Sequence, residues 1–296
     1  MLPVILLTGA TGVVGSAVLR RLTASGETVR CLVRDPKRLS DQRVRVQIAL
    51  GDLANPSSFR NALRGVHTVI HLAASIRDQP RASIEELNGV ATMRLVRGAQ
   101  RAGARRFVFF SALGASEHSR TRFFRSKALA QAAVETSDLD ATVFMPSIVY
   151  TPGDPWLTLL QRLSWLPAVP VSGSGRALYQ PIWAEDAASA VMASLNSAEG
   201  GRFELAGPQQ LSYDGIVRET LHAWGRRRRL LRDRNQRERS RQNQSPHCDP
   251  RSSVIDPRSS HFALRSIPAS SLRCRSGPES RLRRWAQPRS SRCTGG

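Results

Sequence analysis

The chain has 296 residues, 41% of them hydrophobic and 6% aromatic, which is enough apolar content for one large α/β domain or two smaller ones. Its formal charge of +21 is uneven: nineteen arginines and five acidic residues follow Gly225, so about +14 belongs to the last 71 positions and describes a tail, not a domain. No stretch of about 18 apolar residues is free of charge and proline, which argues against a membrane span, and the single cysteine of the first 225 residues, Cys31, argues for a reducing cytoplasm over a disulfide framework.

Residues 3–8, with Val4, Ile5, Leu6 and Leu7, predict a short strand buried on both faces. This apolar start runs straight into a glycine motif and lacks the basic leader of a signal peptide. Residues 13–25 then show helical spacing, with Val14, Val18, Leu19 and Leu22 on one side. Further strands are predicted over 28–33, 44–50, 68–72, 106–110 and 141–148. A long helix over 82–102 separates the fourth strand from the fifth, and an amphipathic helix over 211–224 closes the series. Continuous apolar strands separated by helix-length segments imply parallel pairing, hence a doubly wound α/β sheet.

Between the first strand and the first helix stands Thr8-Gly9-Ala10-Thr11-Gly12-Val13-Val14-Gly15. This is the context in which a three-glycine pattern binds a dinucleotide. Gly9 permits the tight turn, Gly12 leaves room for a pyrophosphate, and Gly15 lets the helix pack closely. The free N–H groups and the helix dipole then hold the phosphates. The bland alternative is a mere tight turn.

The second strand, Cys31-Leu32-Val33, ends in Arg34, with Lys37 and Arg38 close behind. An NAD site usually places an acid here, on the ribose 2′-OH. Arg34 and Lys37 instead suit a 2′-phosphate, so NADP(H) is the expected cofactor. NAD(H) remains open, because Asp35 stands only one position late; the other alternative is a solvated basic loop.

Together with Leu32-Val33-Arg34-Asp35-Pro36, Gly51-Asp52-Leu53 and His71-Leu72-Ala73-Ala74, the glycine motif resembles the extended and atypical short-chain dehydrogenase/reductases. Within them the chain is most similar to the NmrA-like proteins and to the nucleotide-binding accessory subunit of respiratory complex I. The resemblance covers about residues 1–230 and implies an NAD(P)-binding Rossmann fold. It implies that Asp52 and Leu53 lie near the adenine and that Ala73 and Ala74 pass under the adenosine ribose. Asn88 and Thr92 match the family's helix pattern, and residues 107–115 match its fifth strand and loop. Residues 145–150 match its sixth strand, putting Pro146 among the cofactor contacts, although Met145 stands where the family usually has arginine. Residues 181–190 resemble a later helix start, with Asp186 as a capping or packing residue.

The family's reaction center is Tyr-x-x-x-Lys with a serine upstream. Here Phe123-Phe124-Arg125-Ser126-Lys127 keeps Lys127 and puts Phe123, which has no exchangeable proton, in the tyrosine's place. Ser111 resembles the upstream serine, with Ala112 the alternative register. Lys127 keeps the ribose-holding role that the resemblance implies; the plain alternative is a helix-surface lysine. Tyr150, Tyr179 and Tyr213 are other possible proton sources, and none is singled out. His67 and His71, four apart on a strand, lack the partners of a metal site, and no metal is expected. Residues 172–176 read as a flexible loop in which Arg176 is solvated or meets an anion. Trp156, Leu157, Leu160, Leu163, Trp165 and Leu166 read as core or lid packing, with a pocket for a quinone-like substrate or a peripheral membrane contact as alternatives.

Three regions follow: a dinucleotide-binding core over 1–150, substrate-side segments with returning sheet and helix elements over 151–225, and a disordered Arg/Ser/Pro-rich tail over 226–296. The tail has no lysine, and the chain as a whole has two, Lys37 and Lys127. With Cys248, Phe262, Cys274, Trp285 and Cys293 scattered through it, the tail reads as out-of-frame translation starting near 226–232 that leaves the substrate side incomplete; a basic arm for nucleic acid or acidic lipid is the alternative. Functionally the chain reads as an NADP(H)-binding oxidoreductase or epimerase acting on a small or quinone-like substrate. The competing reading is a non-catalytic sensor or assembly subunit.

Overall fold

A computed structural model of the chain describes residues 3–232, apart from 81, 172, 198 and 199. In chain order its elements are β1 (Val4–Thr8), α1 (Val13–Ala24), β2 (Thr28–Val33), β3 (Gln47–Leu50), α2 (Pro56–Phe59), β4 (Val66–His71), α3 (Ala91–Arg101), β5 (Arg106–Phe110) and α4 (Arg122–Glu135). There follow β6 (Asp140–Pro146), β7 (Val149–Tyr150), α5 (Pro155–Leu163), β8 (Ala168–Val171), β9 (Leu178–Tyr179), β10 (Ile182–Trp183), α6 (Ala184–Leu195), β11 (Gly201–Leu205), β12 (Leu211–Ser212), α7 (Tyr213–Ala223) and β13 (Arg229–Arg232). The described residues form two units: those through Thr151 with Gln180–Gln210, and Pro152–Tyr179 with Leu211–Arg232.

The first unit is built on a seven-stranded parallel sheet in the order β11-β6-β5-β4-β1-β2-β3. Strand alternation decides which face each side chain serves. Ile5 and Leu7 of β1 pack with Val18 and Leu22 of α1 and with Ala188 and Val191 of α6. Leu6, between them, packs on the opposite face with Leu95 of α3 and Val134 of α4. Both faces are therefore covered by helices, and the strands read as unbroken apolar runs for that reason. The sheet is the doubly wound Rossmann arrangement that the alternation of elements implied.

In this unit the structure departs from the sequence reading in three places. The strand predicted over 44–50 begins only at Gln47, because 3-10 turns occupy Pro36–Arg45, started by Pro36 and capped by the Asp35 carboxylate on the Lys37 N–H. The helix predicted over 82–102 opens with a π-helical turn, Glu86–Val90, before α3. The seventh strand, β11, escaped the sequence reading because Arg202 and Glu204 are exposed and only Leu205 is buried. Arg106 holds this returning segment in place, donating to the carbonyls of Ser194 (3.1 Å), Leu195 (2.9 Å) and Ser197 (2.8 Å) while pairing with Asp140. Glu185 in the first turn of α6 pairs with Arg20 and Arg21 of α1.

In the second unit α5 and α7 accompany two short ribbons, β12 against β9 and β13 against β8. The boundary predicted at Gly225 therefore moves. The chain continues as β13 to Arg232, because β8 offers it a parallel partner over Ala168–Val171. The rest of the tail reading, over 233–296, lies outside the described residues, and with it the choice between altered translation and a basic arm.

Candidate functional site

Most of the residues singled out by sequence for a cofactor lie where strands of the first unit end, whereas Val13, Val14 and Gly15 open α1, Lys37 lies in the turns after β2 and Lys127 lies in α4. Thr8 closes β1, Arg34 follows β2, Asp52 and Leu53 follow β3, Ala73 and Ala74 follow β4, Ser111 follows β5, and Pro146 closes β6. In a parallel sheet these ends share one edge, the edge at which open α/β sheets bind ligands. Backbone bonds tie the loops together there: Leu72 N–H donates to Thr8 O (3.1 Å), Ser111 N–H to Phe144 O (2.8 Å) and Leu113 N–H to Pro146 O (3.0 Å).

The three glycines of the first loop are required for different reasons. Gly9 has φ +75°, and a Cβ on it would lie 2.6 Å from the Ala73 nitrogen. A Cβ on Gly15, which is buried in α1, would lie 2.0 Å from Gly9 O. Gly12 differs, because its Cβ would meet only Gly9 O, at 3.2 Å. It is exposed, caps α1 with extended backbone, and offers no side-chain cap to the helix N–H groups. The protein's own packing thus requires Gly9 and Gly15 and leaves Gly12 free, whereas a pyrophosphate at the helix start requires all three. Thr11, Val13 and Val14 are half-buried around this loop.

Past β2, Arg34, Lys37 and Arg38 are exposed, and their side chains have no hydrogen-bond or ion-pair partner among the described residues. Asp35 is already engaged as the cap on Lys37 N–H (3.0 Å). Asp52 is likewise turned inward on its own loop, accepting from Ala54 N–H at 3.0 Å.

Below the first loop is a buried chain of hydrogen bonds whose polarity can be deduced. Thr92 Oγ1 donates to Asn88 O (2.6 Å), so it accepts from His71 Nε2 (2.9 Å). Nε2 therefore carries the imidazole proton, and Nδ1 accepts from Thr8 Oγ1 at 2.6 Å. Asn88 then clamps the loop after β4, accepting from Ser75 N–H and donating to Ser75 O, both at 2.8 Å. Sequence reading weighed His71 only as a metal ligand and missed this bridge. No local signal was available, since His71 comes to stand opposite Thr8 only when β1 pairs with β4. Its companion His67 is exposed and bonds Thr68, and no cluster of three or more metal-ligating groups occurs among the described residues.

Burial, with Lys127 adding a smaller push, lowers the His71 pKa to about 3, so the ring is neutral at ordinary pH. Between about 3 and its unperturbed value near 6.5, the unfolded chain binds a proton that the folded chain refuses. Stability should therefore fall as pH drops through that window. Urea midpoints measured across it should decline in the unmodified protein and decline less in His71→Asn. Equal slopes would remove His71 as the cause.

Lys127 is not a surface residue. It is buried on the inner side of α4, donates to Phe110 O, and places its ammonium 4.4 Å from the Phe109 ring centroid. Burial pushes its pKa down to about 7. Phe123, one helical turn earlier, is half-buried and packs edge-on against Phe124. Ser111, next in chain to Phe110, has a buried hydroxyl oxygen with no hydrogen-bond partner. An orphaned buried hydroxyl is rare and calls for a ligand. With the open glycine cradle and the unpartnered basic pair after β2, it fits a phosphate-bearing dinucleotide.

Comparison with known proteins agrees with the geometry. Residues 9–155 match the NAD(P)H-binding domain family. The chain is 31% identical over 233 residues to ceramide reductase of Caulobacter vibrioides, covering 77% of this chain and 73% of that protein. It is 29% identical over 218 residues to the mitochondrial NADH dehydrogenase [ubiquinone] 1 alpha subcomplex subunit 9 of Arabidopsis thaliana, covering 68% of this chain and 52% of that one. This chain belongs to the NAD(P)-binding short-chain dehydrogenase/reductases. Its relatives put it among the atypical, NmrA-like members of that superfamily. Among solved structures, MoeE5 in complex with UDP-glucuronic acid and NAD superposes with a TM-score of 0.64 at 25% identity, over 77% of this chain and 85% of that one. The chain spans only about half the length of some curated relatives, the complex I subunit among them.

In the second unit the apolar stretch 156–166 divides. Leu157 and Leu160 are buried, Trp156 donates to Tyr213 Oη (3.3 Å), and Trp165 and Leu166 are exposed, so packing does not account for the whole stripe. Tyr179 packs edge-on against Tyr213, and Arg176 is exposed. Tyr150 stands in the first unit, in β7. Among the described residues no helix is long and apolar enough to cross a membrane.

Proposed function

We propose that this short-chain dehydrogenase/reductase holds NADP(H) on its first unit and works chiefly as a cofactor-loaded binding protein, a sensor or assembly subunit, and not as a fast reductase. Phe123 carries this reading. It stands four residues before Lys127, where the family's tyrosine stands, and has no proton to give. When bound, the dinucleotide supplies hydride. The chain's own residues bind and orient it: the loop Thr8–Gly15 takes the pyrophosphate, Asp52, Leu53, Ala73 and Ala74 flank the adenosine, and Lys127 and Pro146 flank the nicotinamide end. Lys127 spends one ammonium hydrogen on Phe110 O and keeps others for a ribose hydroxyl.

A slow oxidoreductase or epimerase, acting on a small or quinone-like substrate, is the second reading. The unpartnered Ser111 hydroxyl favours it, because a hydroxyl at this place can polarise a carbonyl. A carbonyl and quinone panel with NADPH separates the two: no turnover supports the first, and steady turnover lost in Ser111→Ala supports the second.

Cofactor choice is decided by Arg34, whose guanidinium has no partner among the described residues and suits a 2′-phosphate. A charge-assisted bond of this kind contributes about 1.5–3 kcal/mol, or roughly ten- to a hundredfold in affinity. Tryptophan quenching titrations should show NADPH binding tighter than NADH by about that factor, and Arg34→Asp should erase or reverse the preference. Equal affinities in the unmodified protein would remove the 2′-phosphate role.

A further inference from the structure

The second unit carries a surface that cofactor binding leaves unexplained. The buried side of α5 is formed by Leu157 and Leu160, and Ser164 continues it. Leu159 and Arg162, three residues apart, share the outer side, and Leu166, beyond the end of the helix, is 46% exposed. Trp165, in the turn that follows, is 73% exposed. The segment leading into β13 folds back onto this corner. Arg226 donates to Ser164 Oγ and stacks 3.7 Å above the Trp165 ring, and Arg228 donates to Ser164 O at 3.0 Å. In the adjoining ribbon Leu231 pairs with Pro170, and both are exposed, while Val169 and Val171 turn inward. Large apolar side chains and arginines are thus presented together.

Charge selects the occupant. The described residues of this unit hold eight arginines and three carboxylates, and two of those carboxylates, Asp154 and Asp214, are buried. Glu219 is the one exposed acid among them. A second copy would bring arginines against arginines. A polyanion such as nucleic acid would use the arginines but leave Leu159, Leu166 and Leu231 in water. An anionic bilayer satisfies both: phosphate headgroups meet the guanidinium groups while leucine and indole enter the acyl boundary, and the long arginine stems reach the headgroup level.

We propose that the second unit docks on an anionic lipid surface through Leu159, Arg162, Trp165, Leu166, Arg229 and Leu231. Docking brings the protein to a bilayer without a spanning segment. It is separate from cofactor binding, which the first unit performs.

Vesicles of phosphatidylcholine, with and without phosphatidylglycerol, test it on the full chain. Co-sedimentation reports binding, and bromine-labelled acyl chains report insertion by quenching tryptophan. Binding is expected with phosphatidylglycerol and not without it, accompanied by quenching that Trp165→Phe removes. The triple variant Trp165→Ser, Leu166→Ser, Leu231→Ser loses the Arg226–Trp165 stack but no buried side chain, so its thermal midpoint should fall only slightly, and it should bind about tenfold or more weakly. The proposal is overturned if the triple variant binds like the unmodified protein, because attraction to the arginines alone then suffices. It is equally overturned if quenching persists in Trp165→Phe, or if single-stranded DNA binds at the patch and the triple substitution weakens that instead.

Discussion

Gly12→Ala is expected to cost the protein about a hundredfold or more in dinucleotide affinity while changing its stability by less than about 1 kcal/mol. Gly15→Ala should lose both. The two glycines look alike in the sequence, but their surroundings differ. A methyl group at Gly15 would stand 2.0 Å from the Gly9 carbonyl oxygen, a backbone atom that cannot move without dragging the loop from its strand. Such overpacking costs about 1–3 kcal/mol or more. At Gly12 the same methyl group meets one oxygen at 3.2 Å, and its backbone, φ −83°, ψ 177°, suits any residue. What it would obstruct lies outside the protein, at the helix start where the proposed pyrophosphate sits. Thermal melts and NADPH titrations on both variants give the comparison. A Gly12→Ala protein that melts early and still binds would assign the glycine to packing alone.

Phe123→Tyr is expected to raise carbonyl reduction by about 10² to 10⁴, the usual contribution of a positioned general acid. The added hydroxyl would stand one helical turn before Lys127, whose pKa burial holds at about 7. A nearby ammonium lowers a phenol's pKa and eases proton release. Ser111→Ala placed on top of Phe123→Tyr should abolish most of the gain. By itself Ser111→Ala should stabilise the unliganded protein slightly, since it removes a buried hydroxyl without a partner. Loss of reduced-nicotinamide absorbance, with a ketone or quinone in excess, measures the rates. Rapid turnover by the unmodified protein, unchanged by Phe123→Tyr, would contradict the role given to position 123.

The sheet was legible because its central strands are buried on both faces. Ile5, Leu6 and Leu7 all need cover, so the strand is an apolar run, and the spacing between runs leaves room only for helices. Legibility failed where one face is open. In β11 the exposed Arg202 and Glu204 hide a strand that exists because β6 offers it an edge. In β3 the 3-10 turns begun by Pro36 take up the residues before Gln47. Gly9 and Gly15 could be read from sequence because each has a local, backbone reason to be there, whereas Gly12 has none within the protein and was legible only through the motif. The His71 bridge could not be read, because its partners Thr8 and Thr92 lie 63 and 21 positions away and come together only when β1 pairs with β4. The same holds for β13, an arginine-rich strand that forms because β8 supplies its partner.

Calorimetric titration of the full chain with NADPH, with adenosine 2′,5′-bisphosphate as competitor, decides whether the first unit is an NADP(H) site. One site per chain, displaced by the bisphosphate far better than by AMP, is the expected result. The thermal midpoint should also rise with ligand concentration as binding to the folded state requires. Absence of saturable heat, or displacement by AMP and the bisphosphate alike, would contradict that assignment.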